Sequence, residues 1–299
     1  MAKRCWFGLM RDWVTVTAVS LLKYQAYGND FLVAVDPTGL PGTDELDGDF
    51  VVAVCDRHRG IGADGVMVVR PAPPSSGGRT PDAAMELRNA DGGRAETSGN
   101  GLACLALALV DAGRVPGPEV LVSTDAGPRL VTVLDRIDGA AATMRTEMGA
   151  LKVGEARQAA GLDGFEARRV DAGNPHLVMM GPSLEGVDIA SLGRSLEQAE
   201  PGGQNVEVVA PDGRGGLDLL VWERGVGLTE ACGTGSCAAA AAARAAGFVS
   251  SRVEVHNPGG TLLVELQGDD TLTPSVYLSG RASRVFRVEL APSEIDALG

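Results

Sequence analysis

Residues 98–113 read SGNGLACLALALVDAG, and residues 231–247 read ACGTGSCAAAAAARAAG. In each, a small nucleophile-type residue, Ser98 or Cys232, is followed by Gly, a polar residue and Gly. A nearly apolar run then begins, from Gly101 and from Gly235. A surface helix needs a polar face and these runs have none, so both are predicted to be buried helices. Each stops at a glycine, a common helix end. Upstream of each stands a Gly-Asn pair, GNDF (28–31) and GNPH (173–176). The same order of features twice in one chain predicts two pseudo-symmetric domains with a cleft between them.

Around these helices the chain is rich in short Val, Leu and Ile runs. Strands are predicted at 21–25, 31–36, 65–70, 84–89, 119–124, 129–135, 141–148, 176–180, 206–211, 217–224, 252–257, 262–266 and 275–280. Turn clusters such as Asp91-Gly92-Gly93 and Asn257-Pro258-Gly259-Gly260 separate them. Further helices are expected at 47–59 and 188–200, and a flexible loop at 71–81.

The 299 residues carry 26 basic against 39 acidic side chains, a net charge of −13. The basic residues are scattered, which argues against a nucleic-acid surface. Lysine occurs only at positions 3, 23 and 152, which leaves few candidates for a pyridoxal-phosphate Schiff base. Five cysteines with no CxxC pair, and His58, His176 and His256 far apart, suggest neither a zinc site nor a disulfide framework. A reducing compartment, hence the cytoplasm, fits best. No stretch reaches the ~20 apolar residues of a membrane span. Residues 1–20 are basic and partly apolar, but Arg11 and Asp12 interrupt them, so they read as an extension or a misplaced start and not as a signal peptide.

The chemistry lies in the loops before the two helices. Glycines keep backbone N–H groups bare, and a helix start presents unpaired N–H donors with a partial positive charge. Such a place binds a carboxylate. A thiol there, Cys232, is expected to have its pKa lowered toward neutrality, where a general base works. If two such helices face one cleft, a substrate α-carbon sits between residues 98 and 232. One side takes its proton and the other returns one to the opposite face. Taken alone, CGTG reads equally well as a turn capping a buried helix, with Cys232 an inert core residue.

Eight motifs in order carry a resemblance: GNDF (28–31), CDRHRGIGADG (55–65), RNADGGRAE (88–96), SGNG (98–101), AGNPH (172–176), NVEVV (205–209), ERGVGLT (223–229) and ACGTGSCAAA (231–240). Across roughly 21–285 the sequence resembles the diaminopimelate epimerase family. The resemblance implies an α/β (α+β) fold of two pseudo-symmetric domains, each a mostly antiparallel sheet wrapped around a central helix. It places residues 21–140 with 272–299 in one domain and 141–271 in the other. It implies a reaction without cofactor or metal, between the LL and meso forms of diaminopimelate, by two bases. Asn29, Asn89, Asn174 and Asn205 then match substrate-binding asparagines. Gly99, Asn100, Gly233 and Thr234 match the loops holding the reacting carboxylate, and Arg224 matches the partner of the distal carboxylate. Cys232 matches one catalytic thiol, with His176 and Glu223 the polar pair assisting the thiols. A homodimer whose only ligand is a small amino acid is the expected state.

Ser98 departs from the pattern, because the family has a second thiol there, and Thr97 replaces the family's usual methionine. Three outcomes are open. Ser98 still serves, directly or through a water, as in the fold-related proline racemase group, which contains Ser/Cys epimerases. Or the second proton is not returned, and the chain acts as a dehydratase or exchanges one face. Or it only binds an amino acid. A changed amino-acid substrate is compatible with the first.

Overall fold

The computed structural model describes residues 18–42, 45–74, 78–95 and 98–298. Most of the expected N-terminal extension, Thr97 and part of the 71–81 loop lie outside the described residues; Val19 and Ser20 open the first strand. The first half comprises β1 (Val19–Ala26), β2 (Asn29–Ala34), α1 (Gly48–Cys55), β3 (Gly65–Arg70), β4 (Ala83–Asn89), α2 (Gly99–Asp111), β5 (Glu119–Thr124) and β6 (Gly127–Arg136), and β7 (Ala141–Ala150) leads from it into the second. The second comprises β8 (Lys152–Val153), β9 (Arg157–Gln158), β10 (Glu166–Asp171), β11 (Pro175–Met180), α3 (Ile189–Ala199), β12 (Asn205–Pro211), β13 (Leu217–Glu223), β14 (Gly227–Leu228), α4 (Gly233–Ala245), β15 (Arg252–Asn257) and β16 (Gly260–Gln267). The long β17 (Ser275–Leu290) and the short α5 (Pro292–Asp296) end the chain.

Strand pairing repeats between the halves. β1 is antiparallel to β2, β2 parallel to β3, β3 antiparallel to β4, and β4 parallel to β5. In the same order β10 is antiparallel to β11, β11 parallel to β12, β12 antiparallel to β13, and β13 parallel to β15. Each parallel step is bridged by a helix, as such a crossover requires. α1 and α3 bridge the first parallel step of each half, and α2 and α4 the second. β17 pairs with β1, β7 and β16, so it closes the first half and also joins the second.

The two predicted central helices are enclosed. Leu102, Leu105 and Leu107 of α2 pack among Tyr24, Phe31, Met67, Val120 and Met144. Alanines 238–243 of α4, none more than 1% exposed, pack among Val178, Val209, Leu219, Val255 and Leu278. Alanine suits this position, being the best helix former and small enough for strands to close on it from all sides. Both helices begin two residues earlier than predicted. α1 ends at Cys55 rather than 59, because the Asp56 carboxylate accepts hydrogen bonds from the amides of His58 and Arg59 and turns the chain.

Candidate active site

The Gly-Asn pairs are hairpin turns. Tyr27 and Gly28 both have positive φ, 55° and 83°, the pattern of a two-residue hairpin turn, and the turn delivers Asn29 as the first residue of β2. Gly173 at φ 88° likewise turns β10 into β11 and sets Asn174 beside it. The asparagines therefore stand at equivalent strand ends of the two halves.

Ser98 and Cys232 are the N-caps of α2 and α4, both in extended backbone. Ser98 Oγ accepts from Gly101 N at 3.0 Å, and Cys232 Sγ accepts from Gly235 N at 3.3 Å. Helix geometry leaves the preceding amides, of Gly99, Asn100, Gly233 and Thr234, without intrahelical partners. The two helix starts abut: a Cβ added to Gly233 would lie 3.6 Å from Gly99 Cα and 3.7 Å from Asn100 N. The Asn100 side chain reaches across to Asn29 Oδ1 and Ala231 O. Two like-signed helix ends in contact make a strong site for one anion.

One cavity of about 310 Å³ opens over these ends. Its wall brings together Asn29, Asn89, Ser98, Gly99, Asn100, Asn174, Asn205, Glu223, Arg224, Cys232, Gly233 and Thr234. His176 alone of the predicted residues is not on it. It is 1% exposed, with Nε2 2.9 Å from Asn174 Oδ1 and Nδ1 2.7 Å from Glu207 Oε1. It therefore acts on the cavity only through neighbours. Asn205 binds backbone on both sides, donating to Pro175 O and accepting from Arg224 N, so it also fixes the start of the Arg224 loop.

The expectation of a lowered Cys232 pKa is not met. Burial foremost, then the carboxylates of Glu223 and Glu207, push the thiol well above its ordinary value, outweighing the Thr234 hydroxyl and the Gly235 amide. Cys232 rests as a neutral thiol. Glu223 is raised as well, by burial first, while Thr229, donating to Oε1 at 2.5 Å, and the Cys232 thiol pull it down.

Sequence reasoning missed three residues. Glu207, fully buried, leaves Oε2 without a hydrogen-bond partner among the described residues, at a cost of about 1–3 kcal/mol. Arg94 lines the cavity, its guanidinium held by Asp125 at 3.0 Å. Asn257 accepts from Cys232 N at 3.4 Å and anchors the cap. His256 lies in β15, within the strand expected at 252–257, between Thr261 and Asp212. No group of side chains among the described residues could hold a metal ion, and no helix is long and apolar enough to cross a membrane.

Two helix starts capped by Ser98 and Cys232 over a shared cavity, in two halves wound alike, fit one class: isomerases that act on an amino-acid α-carbon without pyridoxal phosphate. The chain belongs to the diaminopimelate epimerase family, whose model matches residues 21–153 and 168–285. Diaminopimelate epimerase of Desulforudis audaxviator is 36% identical over 281 residues, 88% of this chain and 96% of the relative. That of Acidothermus cellulolyticus is 38% identical over 286 residues, 84% and 90% of the two chains. Among solved structures, a probable proline racemase from Agrobacterium radiobacter matches with a TM-score of 0.70 at 18% identity, over 91% of this chain and 93% of that one. A hydroxyproline epimerase from Agrobacterium vitis matches at 0.68 and 20%, over 93% of each. Both share the fold.

Proposed function

We propose that the protein epimerises LL-diaminopimelate to the meso form, with Cys232 as one acid/base and Ser98 in the place of the other. The observation that carries this reading is the pair of abutting helix starts, each capped by a side chain facing one cavity. The amides of Gly99, Asn100, Gly233 and Thr234 hold the α-carboxylate and stabilise the charge that builds on it as the α-proton leaves. Asn29, Asn89, Asn174 and Asn205 orient the polar groups of the substrate. Arg224, exposed at the cavity rim, takes the distal carboxylate. Cys232, its own proton passed to Glu223, the adjacent carboxylate with raised proton affinity, takes the α-proton from one face, and Ser98 relays a proton to the other. The reverse direction runs the same transfers backwards.

Ser98 favours a second reading. Its Oγ accepts from Gly101 N, and no basic side chain bonds it among the described residues. A hydroxyl so placed donates or relays a proton through water but does not ionise. One-faced exchange, or loss of a β-leaving group, follows if that relay fails. Epimerisation of another amino acid, and binding without catalysis, are the remaining alternatives. We place the domain division at 21–140 with 272–299 against 141–271, and a cytoplasmic homodimer as the working state.

Proton NMR in D₂O, with LL-diaminopimelate and a panel of amino acids beside a Cys232→Ala control, tests the reading. Loss of the α-proton signal with appearance of the other stereoisomer supports epimerisation. Exchange without inversion, or an unsaturated product, replaces it with the second reading. No exchange in a folded protein rejects catalysis on that panel.

A further inference from the structure

Four ionisable groups converge beneath the first turn of α4: Cys232, Glu223, His176 and Glu207. The family resemblance implies roles for the first three and none for Glu207, the most enclosed of them at 0% exposure. Alternation along β12 puts Glu207 on the face it shares with Val209, which packs with α4. A Cβ added to Gly235 would lie 2.7 Å from Glu207 Oε1 and 3.2 Å from Cys232 Sγ. Carboxylate and thiol therefore press on the same point of the helix. Gly235 is bare there because both neighbours fill the space.

Both ring nitrogens of His176 face oxygens, Glu207 Oε1 and Asn174 Oδ1. One proton thus sits in the Glu207–His176 contact, on the ring or on the carboxylate. With it on the ring, an imidazolium–carboxylate pair forms, its negative end set toward Cys232. The other groups facing the thiol are Glu223 from β13, the Thr234 hydroxyl and the amides of α4; the cavity wall adds Arg224, Arg94 and the uncharged Ser98.

We propose that Glu207 is a positioning residue for the reaction: its charge, set against Gly235 and shared with His176, holds Cys232 in the thiol form and fixes the pH at which that face becomes a base. The proposal rests on the epimerase reading of Cys232. In the donating step the S–H bond breaks and a C–H bond forms at the α-carbon. The thiolate left behind is accommodated as the shared proton moves from the His176 imidazolium to Glu207, which collapses that pair and removes its negative end. No proton leaves the couple, and the reverse step returns it to the ring.

The test is the pH dependence of iodoacetamide alkylation at Cys232, followed by peptide mass spectrometry, in wild type, Glu207→Gln and Glu207→Asp. Removing the nearby charge in Glu207→Gln lowers the alkylation midpoint by about one pH unit or more, roughly tenfold faster reaction below the midpoint. Glu207→Asp, which withdraws the carboxylate by one methylene, gives a smaller shift in the same direction. Cys232 opens onto the cavity, whereas Cys55, Cys104 and Cys237 are buried away from it and report folding by staying unmodified. If Glu207→Gln exposes them, Glu207→Asp decides. An unchanged midpoint in a folded variant overturns the proposal. The readout needs no substrate: a shifted midpoint without α-proton exchange on any amino acid would sink the epimerase reading and leave the role of Glu207 standing.

Discussion

Replacing Ser98 by cysteine should restore a second thiol facing Cys232, because the site is already shaped for one. Ser98 and Cys232 cap their helices by the same bond to the third helical amide, at 3.0 Å for oxygen and 3.3 Å for sulfur. The longer bond is what the larger atom requires. Met67 Sδ lies 3.3 Å from where a Cβ on Gly101 would stand, a point 3.2 Å from Ser98 Oγ. A thioether on a flexible side chain yields the few tenths of an ångström needed. A well-placed acid/base contributes about 10²- to 10⁴-fold, or roughly 3–5 kcal/mol of barrier. Ser98→Cys should therefore raise LL-to-meso conversion, read by NMR in D₂O, by at least about two orders of magnitude on that scale. Inversion, rather than washout on one face, should become the main product. A folded variant whose Cys232 still alkylates but whose inversion rate is unchanged would refute the reasoning. It would show that Ser98 does not face the reacting carbon.

Three further outcomes follow from the geometry. Gly193→Ala places a Cβ 2.3 Å from Trp222 Cβ, an overlap that forces α3 off β13; we expect about 1–3 kcal/mol of destabilisation, seen as a lower thermal midpoint, and an unchanged midpoint would contradict it. Thr229→Val removes the donor that lowers Glu223, so the Glu223 pKa rises further and any limb of the pH–rate profile governed by its carboxylate moves to higher pH. Burial pushes Cys55 from 9.0 up to about 12 and raises Cys104 and Cys237 too. The unfolded thiols ionise first as pH rises, so stability is full below pH 9.0 and falls between there and about 12. Thermal melts across that range should show a steep loss, shallower in Cys55→Ala.

The central helices were legible because nothing in them could face water, and the Gly-Asn turns because only a sharp turn uses that pair so twice. β10 was not. Its residues EARRVD look like a polar loop, and only Ala167 and Val170 turn inward while Arg168 and Arg169 pair with Glu166 and Glu200. Glu207 was hidden by the same logic reversed. In VEVVAP a charge alternating with valines reads as the wet face of a strand, but β12 has α3 on one side and α4 on the other. That sandwich becomes apparent only once parallel crossovers are assigned. The Cys232 proton affinity was misjudged because the helix start is local and visible, whereas Glu207 and Glu223 arrive from other strands. Arg94, after the turn at 91–93, and Asn257, the last residue of β15, enter the site by tertiary approach, beside turn residues that mask them.

β17 pairs with β1 through Val19↔Leu290 and with β16 through Leu263↔Ser279, while β7 holds its other edge. Synthesis makes it last among the strands. During translation, therefore, β1 and β7 wait with unpaired edges until residues 275–290 have been made. Neither half can mature on the ribosome ahead of the other, and closing contacts so distant in sequence makes for slow folding. A nascent chain arrested before residue 275 should be a client for chaperones and not an early-folding domain, since one late strand seals both halves at once.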